Sequence, residues 1–187
     1  TLALAWLDDA GAASYLFYVD GTSAAELRAA EAQAVLAKTP RLLYVGTLGL
    51  VLEPMASSVE TVMTSLPEDV LLVVDPNCRP TILDAHPAAR ERLDRSLRRA
   101  DVVKVSTEDA AYLYPDRSPL AAAEAVRGLG ARAVLLTDGA NDVQVVTEAG
   151  QIRVPVPRVA IADILEESVA EVNERLEPLS AEEVIRW

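Results

Sequence analysis

Short apolar runs alternate along the chain with longer polar or alanine-rich segments. Each run is bounded by proline, glycine or charged residues, which predicts a short buried strand followed by a loop. Most of the intervening segments begin beside a proline, a residue that is tolerated in the first turn of a helix. Strand, loop, helix and strand in this order predict βαβ units and an α/β fold. The predicted strands are residues 42–45, 70–75, 101–105 and 133–138, and the predicted helices are residues 54–65, 88–99 and 118–129.

Two further pairs of apolar runs are separated by turn residues and predict β-hairpins. The first pair is residues 1–7 and 13–19, and the second is residues 143–146 and 151–154. An isolated hairpin is barely stable in water. We therefore expect a further native segment before the first hairpin.

Ser23 and Glu26 have the spacing of a capping box, which predicts a helix that begins at Ser23 and runs to Lys38. Gly46 and Gly49 follow the next strand and predict a loop in which the backbone can approach a ligand closely.

The character of the sequence changes near its end. Residues 159–161 predict a last short strand that leads to Asp163, and from Ile164 onward the sequence is acidic and helical. We therefore expect an α/β core over residues 1–163 and a helical tail over residues 164–187.

Composition narrows the classes of partner and location. Hydrophobic residues make up 51% of the chain, enough to build a folded core. The net charge of -12 disfavours nucleic acid and membrane surfaces as general partners, because both are polyanionic. The single cysteine, Cys78, excludes a disulfide framework within the chain and fits a cytoplasmic location. The arginines of residues 90–99 alternate with acids, which indicates a solvated helix surface rather than a nucleic-acid site.

Three polar residues follow the strand at residues 70–75 and could share one cleft. Asp75, Asn77 and Arg79 alternate along the loop. Arg79 could hold a phosphate in a bidentate manner, and Asn77 could bond a sugar hydroxyl or a phosphate oxygen. Asp75 and Asn77 could equally only close the loop through Asx turns. Both interpretations stay open at this point.

A second polar group ends the strand at residues 101–105. Ser106 and Asp109 have the arrangement of a helix N-cap and its partner three residues on, which the spacing favours. The alternative is a binding site, in which Lys104 and the helix start face an anion and Asp109 holds a hydrated Mg²⁺.

Thr137, Asp138 and Gly139 form a third group, where a buried strand enters a turn. A nucleotide could approach the backbone there, and the alternative is that the Asp-Gly pair forms only a common turn. Two other residues of reactive types are not expected to take part in chemistry. We expect His86 to be a surface residue. We expect Cys78 to be a packed small residue and not a nucleophile, because no histidine lies near it in sequence.

Three of these segments together carry a resemblance to a known family. They are Val73–Arg79 (VVDPNCR), Val103–Leu113 (VKVSTEDAAYL) and Val134–Gly139 (VLLTDG), and their order and spacing also match. The chain resembles the PfkB (ribokinase-like) carbohydrate kinases over about residues 1–163. The resemblance implies a three-layer α/β/α sandwich with a mostly parallel sheet. The hairpin at residues 1–20 is similar to the family's β lid, and Gly46–Gly49 is similar to its substrate-side loop.

The resemblance also implies an activity, which is transfer of the ATP γ-phosphoryl group to a hydroxyl of a sugar or sugar acid with Mg²⁺. Asn77 and Arg79 would lie near the transferred phosphate. Ser106 and Asp109 stand where the family often has an Asn-x-x-Glu motif for Mg²⁺ and phosphate. The implied cofactors are therefore ATP and Mg²⁺, with Lys104, Ser106, Thr137 and Gly139 on the nucleotide side and Asp109 on the metal side. A homodimer could also form, through the lid strands or the tail helices.

Three departures from the family pattern accompany the resemblance. Asp109 is shorter than the glutamate usual at its position, and Asp142 stands where glycine is common. The family's Gly-Ala-Gly-Asp signature, which supplies an anion hole and the catalytic base, does not follow Asp163. No catalytic base is identified, so we expect the chain to be inactive or severely impaired. The rival interpretation is a non-enzymatic α/β module whose tail helices pair with another chain.

Overall fold

The structure is a computed structural model of the 187-residue chain, and it describes residues 2–7, 13–18 and 21–157. Up to Val156 these residues belong to one compact unit.

The strand predicted at residues 159–161 and the tail predicted at residues 164–187 lie outside the described residues, so the predicted domain division stays a prediction. None of the helices in the described ranges is both long and apolar enough to cross a membrane.

The described chain alternates strands and helices, as the apolar pattern predicts. The strands are β1 (Leu2–Leu7), β2 (Ala13–Tyr18), β3 (Leu42–Gly46), β4 (Leu71–Asp75), β5 (Val102–Ser106), β6 (Ala133–Asp138), β7 (Asn141–Thr147) and β8 (Gly150–Val154). The helices are α1 (Ala29–Leu36), α2 (Leu48–Val51), α3 (Met55–Thr64), α4 (Pro80–Leu83), α5 (Pro87–Arg99), α6 (Thr107–Leu113) and α7 (Pro119–Arg127).

The larger sheet has six strands that lie side by side in sequence order from β3 to β8. Strands β3 to β6 are parallel to one another, and β7 and β8 join them antiparallel. Strands β1 and β2 form a separate antiparallel sheet. The α/β fold, the mostly parallel sheet and both hairpins are therefore confirmed.

One face of the six-stranded sheet is covered by helices. Successive side chains along a strand point to opposite faces, and alternate residues of the central strands are almost fully buried, among them Leu72, Val103 and Leu136. They pack into one core with Leu93 and Leu97 of α5.

The opposite set of strand positions is far less covered, and we call it the open face. Its exposed members include Leu42 and Tyr44 on β3, Leu71 on β4 and Ile152 on β8. Parallel strands laid down in one direction with right-handed crossovers carry all their connecting helices on the same face. Within residues 21–157, two of the three predicted layers are therefore present.

The helix predicted from Ser23 begins instead at Ala29. That serine opens a single 3₁₀ turn, in which the N–H of Glu26 donates to the Ser23 carbonyl over 3.1 Å. The carbonyl of Leu27 accepts a hydrogen bond of 2.9 Å from the hydroxyl of Ser58 on α3. The predicted start is wrong because a side chain from a distant helix takes a carbonyl that a continuous helix would use.

The predicted loop at Gly46–Gly49 contains the short helix α2, with Thr47 at its N-cap. Neither glycine has a positive φ, so the turn does not depend on glycine's conformational freedom. Burial of Leu50 and Val51 in the core favours the helix over an open loop.

The arginines of α5 do not all lie on a solvated surface. The Arg92 side chain is only 14% exposed and forms ion pairs with Glu53 at 2.5 Å and with Glu60 at 3.2 Å. Arg92 therefore links α5 to α3 through Glu60 and to the segment between α2 and α3 through Glu53. The expectation of a solvated helix surface is wrong for this arginine, because its acidic partners come from more than 30 residues away in sequence.

Candidate functional site

The polar residues singled out from the sequence lie at one edge of the larger sheet. Parallel strands place their carboxyl ends at the same edge, where ligands of α/β sheets bind. Gly46 at the end of β3 pairs in register with Asp75 at the end of β4. Ser106 at the end of β5 pairs in register with Thr137 of β6. The three polar groups predicted separately are therefore neighbours in space.

Asp75 is the centre of a hydrogen-bonded cluster. The Tyr44 hydroxyl donates to Asp75 Oδ2 over 2.8 Å, and Lys104 Nζ lies 3.4 Å from the same carboxylate. Asp75 Oδ1 also accepts the N–H of Asn77 over 3.1 Å. The carboxylate thus closes its own loop, as the Asx interpretation predicts, and also fixes a cation from β5 and a phenol from β3.

Tyr44 was not found by sequence reasoning. Its only signal is its alternation with Leu42 in a short apolar strand, which indicates a sheet position but no polar partner. The partner, Asp75, lies 31 residues further along the chain.

Tyr44 gives the cluster a measurable titration. Partial burial, the hydrogen bond to Asp75 and the charge of that carboxylate raise the pKa of Tyr44 to about 12. A raised pKa means that the stabilisation is present below the unfolded pKa of 10 and is lost as pH rises through about 12. The difference in tyrosinate absorbance between the unsubstituted chain and Tyr44→Phe reports the ionisation of Tyr44, and we expect this difference to develop near pH 12. A difference that develops near pH 10 would contradict the hydrogen bond.

Asn77 and Arg79 lie on the loop that follows β4, as predicted. Asn77 has a φ of 36°, a left-handed conformation that asparagine adopts more readily than most residues. The asparagine side chain is exposed and Arg79 is partly buried. Arg79 Nη1 donates to the carbonyl of Cys78 over 3.2 Å, so the guanidinium is anchored to its own loop.

Ser106 and Asp109 form the predicted capping box at the start of α6. The Ser106 hydroxyl accepts the Asp109 N–H over 3.0 Å, and Asp109 Oδ2 accepts the Ser106 N–H over 2.9 Å. Asp109 is 3% exposed, and its other oxygen accepts the N–H of Cys78 over 2.6 Å. The capping interpretation is confirmed, while the magnesium role of Asp109 stays a prediction.

Cys78 is buried, as predicted for a packed residue. Burial and the negative charge of Asp109 raise the pKa of the Cys78 thiol. A thiol with a raised pKa is a poor nucleophile at neutral pH.

Glu108, which sequence reasoning passed over, is the exposed carboxylate at the start of α6. Its pKa is lowered by hydrogen bonds from its own backbone N–H and from the Ser106 hydroxyl, and the charge of Lys104 adds to this. Glu108 therefore lies at the helix start where an anion was predicted. The signal that could have revealed it is its place inside the Ser106–Asp109 box, where acids interact favourably with helix N-termini.

Thr137 and Gly139 lie where β6 turns into β7. The Thr137 hydroxyl donates to the Val105 carbonyl over 3.4 Å. Gly139 has a φ of 51°, and a Cβ built there would have no neighbour within 4 Å among the described residues. The backbone at this turn is therefore accessible, as a nucleotide contact would require.

Two further residues complete the description of this edge. Thr47, which follows β3, is 3% exposed, and its hydroxyl has no hydrogen-bond partner among the described residues. His86 Nδ1 lies 2.8 Å from the Ile82 carbonyl, and the residue is exposed, as predicted. The described ranges hold no group of three or more His, Cys, Asp or Glu residues that could bind a metal ion.

Sequence relatives of the chain are sugar kinases. The chain is 29% identical over 155 residues to a fructokinase from Rhizobium leguminosarum bv. trifolii, a match that covers 82% of the chain and 47% of the relative. It is 30% identical over 113 residues to fructokinase-2 of Zea mays, which covers 60% of the chain and 34% of the relative. The chain thus spans less than half the length of these curated relatives. No family model matches the sequence.

Solved structures share the fold. A putative ribokinase II from E. coli superposes with a TM-score of 0.73 at 20% identity, covering 86% of the chain and 52% of that protein. A fructokinase from Vibrio cholerae O395, solved with fructose, ADP and calcium, superposes with a TM-score of 0.68 at 22% identity, covering 84% of the chain and 52% of that protein. The fold is therefore ribokinase-like, and the fructokinase relatives together with the three strand-end motifs support the resemblance to the PfkB carbohydrate kinases.

Proposed function

We propose that the chain carries the nucleotide- and phosphate-binding core of an ATP-dependent kinase for a sugar or sugar acid. The observation that carries this proposal is the convergence of Asn77, Arg79, Lys104 and the Thr137–Gly139 turn at the carboxyl edge of one sheet. The Vibrio fructokinase binds fructose and ADP, and the E. coli putative ribokinase II has also been solved with ATP and Mg²⁺. Both likenesses support the proposal.

The residues of this edge suit phosphoryl transfer, which depends on positioning and on electrostatic stabilisation of the transferred group. Arg79 and Lys104 supply positive charge, and Asp75 holds the Lys104 ammonium in place. Asn77 presents an exposed amide beside them.

The residues fit ATP better than they fit a protein-bound magnesium ion. The accessible backbone at Gly139 suits a nucleotide, and the two cations suit its phosphates. Mg²⁺ supplies neutralisation of the charge on the phosphates, and it is usually held by those phosphates and waters with one or two carboxylates. Both oxygens of Asp109 already accept backbone N–H groups, so this residue does not fit as a direct ligand.

Turnover by this chain alone is expected to be very low. The sequence offers no Gly-Ala-Gly-Asp signature and thus no identified base for the sugar hydroxyl. Binding of the nucleotide is therefore the more direct test than catalysis. A cytoplasmic location, which the buried thiol of Cys78 fits, is part of the same proposal.

The test is calorimetric titration of ATP with Mg²⁺ into the chain and into Arg79→Ala and Lys104→Ala. Each variant should weaken binding by roughly tenfold, because hydrogen bonds between charged groups contribute about 1.5–3 kcal/mol. The matched control is Arg98→Ala, which removes an exposed arginine from α5. Equal weakening by Arg98→Ala would show that the effect comes only from the lost positive charge and not from the site, which would contradict the proposal. Absence of binding at millimolar ATP would also overturn it.

A further inference from the structure

Asp109 connects two elements of the candidate site that are distant in sequence. Its Oδ2 accepts the N–H of Ser106 on its own segment, and its Oδ1 accepts the N–H of Cys78, 31 residues earlier. The distance from the Cys78 nitrogen to Asp109 Oδ1 is 2.6 Å, slightly shorter than is usual for a charge-assisted hydrogen bond from an N–H group. One buried carboxylate thus joins the loop after β4 to the start of α6.

The same loop is held from a second side. The N–H of Asn77 donates to Asp75, and the next N–H, that of Cys78, donates to Asp109. Two successive backbone donors are therefore fixed by two carboxylates, that of Asp75 at the end of β4 and that of Asp109 in the first turn of α6. Asn77 and Arg79 flank the clamped Cys78, so the orientation of both depends on these two hydrogen bonds.

The burial of Asp109 separates this task from metal binding. The residue is 3% exposed, and each of its oxygens already accepts a backbone hydrogen bond. A hydrated cation needs an accessible carboxylate oxygen. The exposed carboxylate at this helix start belongs to the neighbouring Glu108.

We propose that Asp109 is a positioning residue: it clamps the Pro76–Arg79 loop onto the start of α6, so that Asn77 and Arg79 face the ligand, and it does not ligate magnesium. The clamp stands on the geometry alone, while its consequence for ATP rests on the proposed function. It follows that Asp109 governs the affinity for ATP to the same degree with and without the metal ion.

The experiment measures ATP affinity with Mg²⁺ and with a chelator, and amide hydrogen exchange at Cys78, in the chain and in Asp109→Asn. The asparagine offers one acceptor oxygen where two N–H groups need one each. We expect Cys78 exchange to accelerate by roughly tenfold or more, and ATP binding to weaken by one common factor in both conditions. A weakening confined to the Mg²⁺ condition would overturn the proposal, because it would identify Asp109 as a metal ligand.

Two further variants keep the test decisive. Asp109→Glu retains the charge but displaces the carboxylate by one methylene group. If Asp109 is a clamp, this variant should lose the protection of the Cys78 amide from exchange. If Asp109 is a metal ligand, the variant should still bind ATP in an Mg²⁺-dependent manner. Glu108→Gln removes the neighbouring charge and should leave Cys78 exchange unchanged. If the unsubstituted chain binds no ATP, the proposed function fails, and Cys78 exchange still decides the clamp: unchanged exchange in both Asp109 variants overturns it.

Discussion

Replacement of Leu72 by alanine is expected to lower the free energy of unfolding by about 3–5 kcal/mol, as for other fully buried leucines. Leu72 is 0% exposed and lies in β4 on the helix-covered face of the sheet. The truncation would leave a cavity between the sheet and the α5 side chains Leu93 and Leu97, which belong to the same core. Urea-induced unfolding of the two proteins measures the difference.

The preceding residue provides a matched control. Leu71 is the same residue type, lies in the same strand and is 39% exposed on the open face. Leu71→Ala should cost no more than about 1 kcal/mol, because much of its surface is already in contact with water. Equal losses for the two leucines would show that both faces of the sheet are covered in solution, which contradicts an open face.

Replacement of Arg92 by leucine is expected to cost about 1–2 kcal/mol, because it removes charge-assisted hydrogen bonds to Glu53 and Glu60, while Glu60 keeps its pair with Arg95. The Arg92 side chain is 14% exposed and pairs with both Glu53 and Glu60. The control is Arg95→Leu on the same helix. Arg95 is 55% exposed and also pairs with Glu60, so its loss should stay below about 1 kcal/mol.

The Arg92 network also gives stability a dependence on pH. Burial tends to raise the pKa of Glu60, but hydrogen bonds from Arg95 and Arg92 outweigh it and lower the pKa. The same competition, with hydrogen bonds from Ser57 and Arg92, lowers the pKa of Glu53. A lowered pKa contributes stability above the unfolded value of 4.5, and this is lost as pH falls through the folded value. Stability should therefore fall less steeply with acid in Arg92→Leu, and an unchanged slope would contradict the network.

The sequence predicts the strands and most helices because those signals are local. Short apolar runs separated by polar segments predict strands β3 to β8, and prolines in the first turn predict the starts of α5 and α7. The capping box of Ser106 and Asp109 was also predictable, since both partners lie within four residues.

The features that escaped prediction depend on contacts between distant segments. The Asp109–Cys78 and Tyr44–Asp75 hydrogen bonds each join residues 31 positions apart. The helix start at Ser23 failed for the same reason, because Ser58 of α3 takes the carbonyl of Leu27. The spacing of residues along a sequence predicts which of them share a helix or strand. Tertiary packing decides which polar groups then form hydrogen bonds with distant segments and which remain able to bind a ligand.

The most direct test of a nucleotide site at the carboxyl edge is to map ATP binding residue by residue, by following the backbone amide signals of the isotopically labelled chain in nuclear magnetic resonance. If the carboxyl edge of the sheet is a nucleotide and phosphate site, addition of ATP with Mg²⁺ should shift the amides of Asn77, Cys78, Arg79, Thr137 and Gly139 first and furthest. Shifts centred elsewhere in the chain, or no shifts at millimolar ATP, would contradict the assignment of this edge as a kinase site.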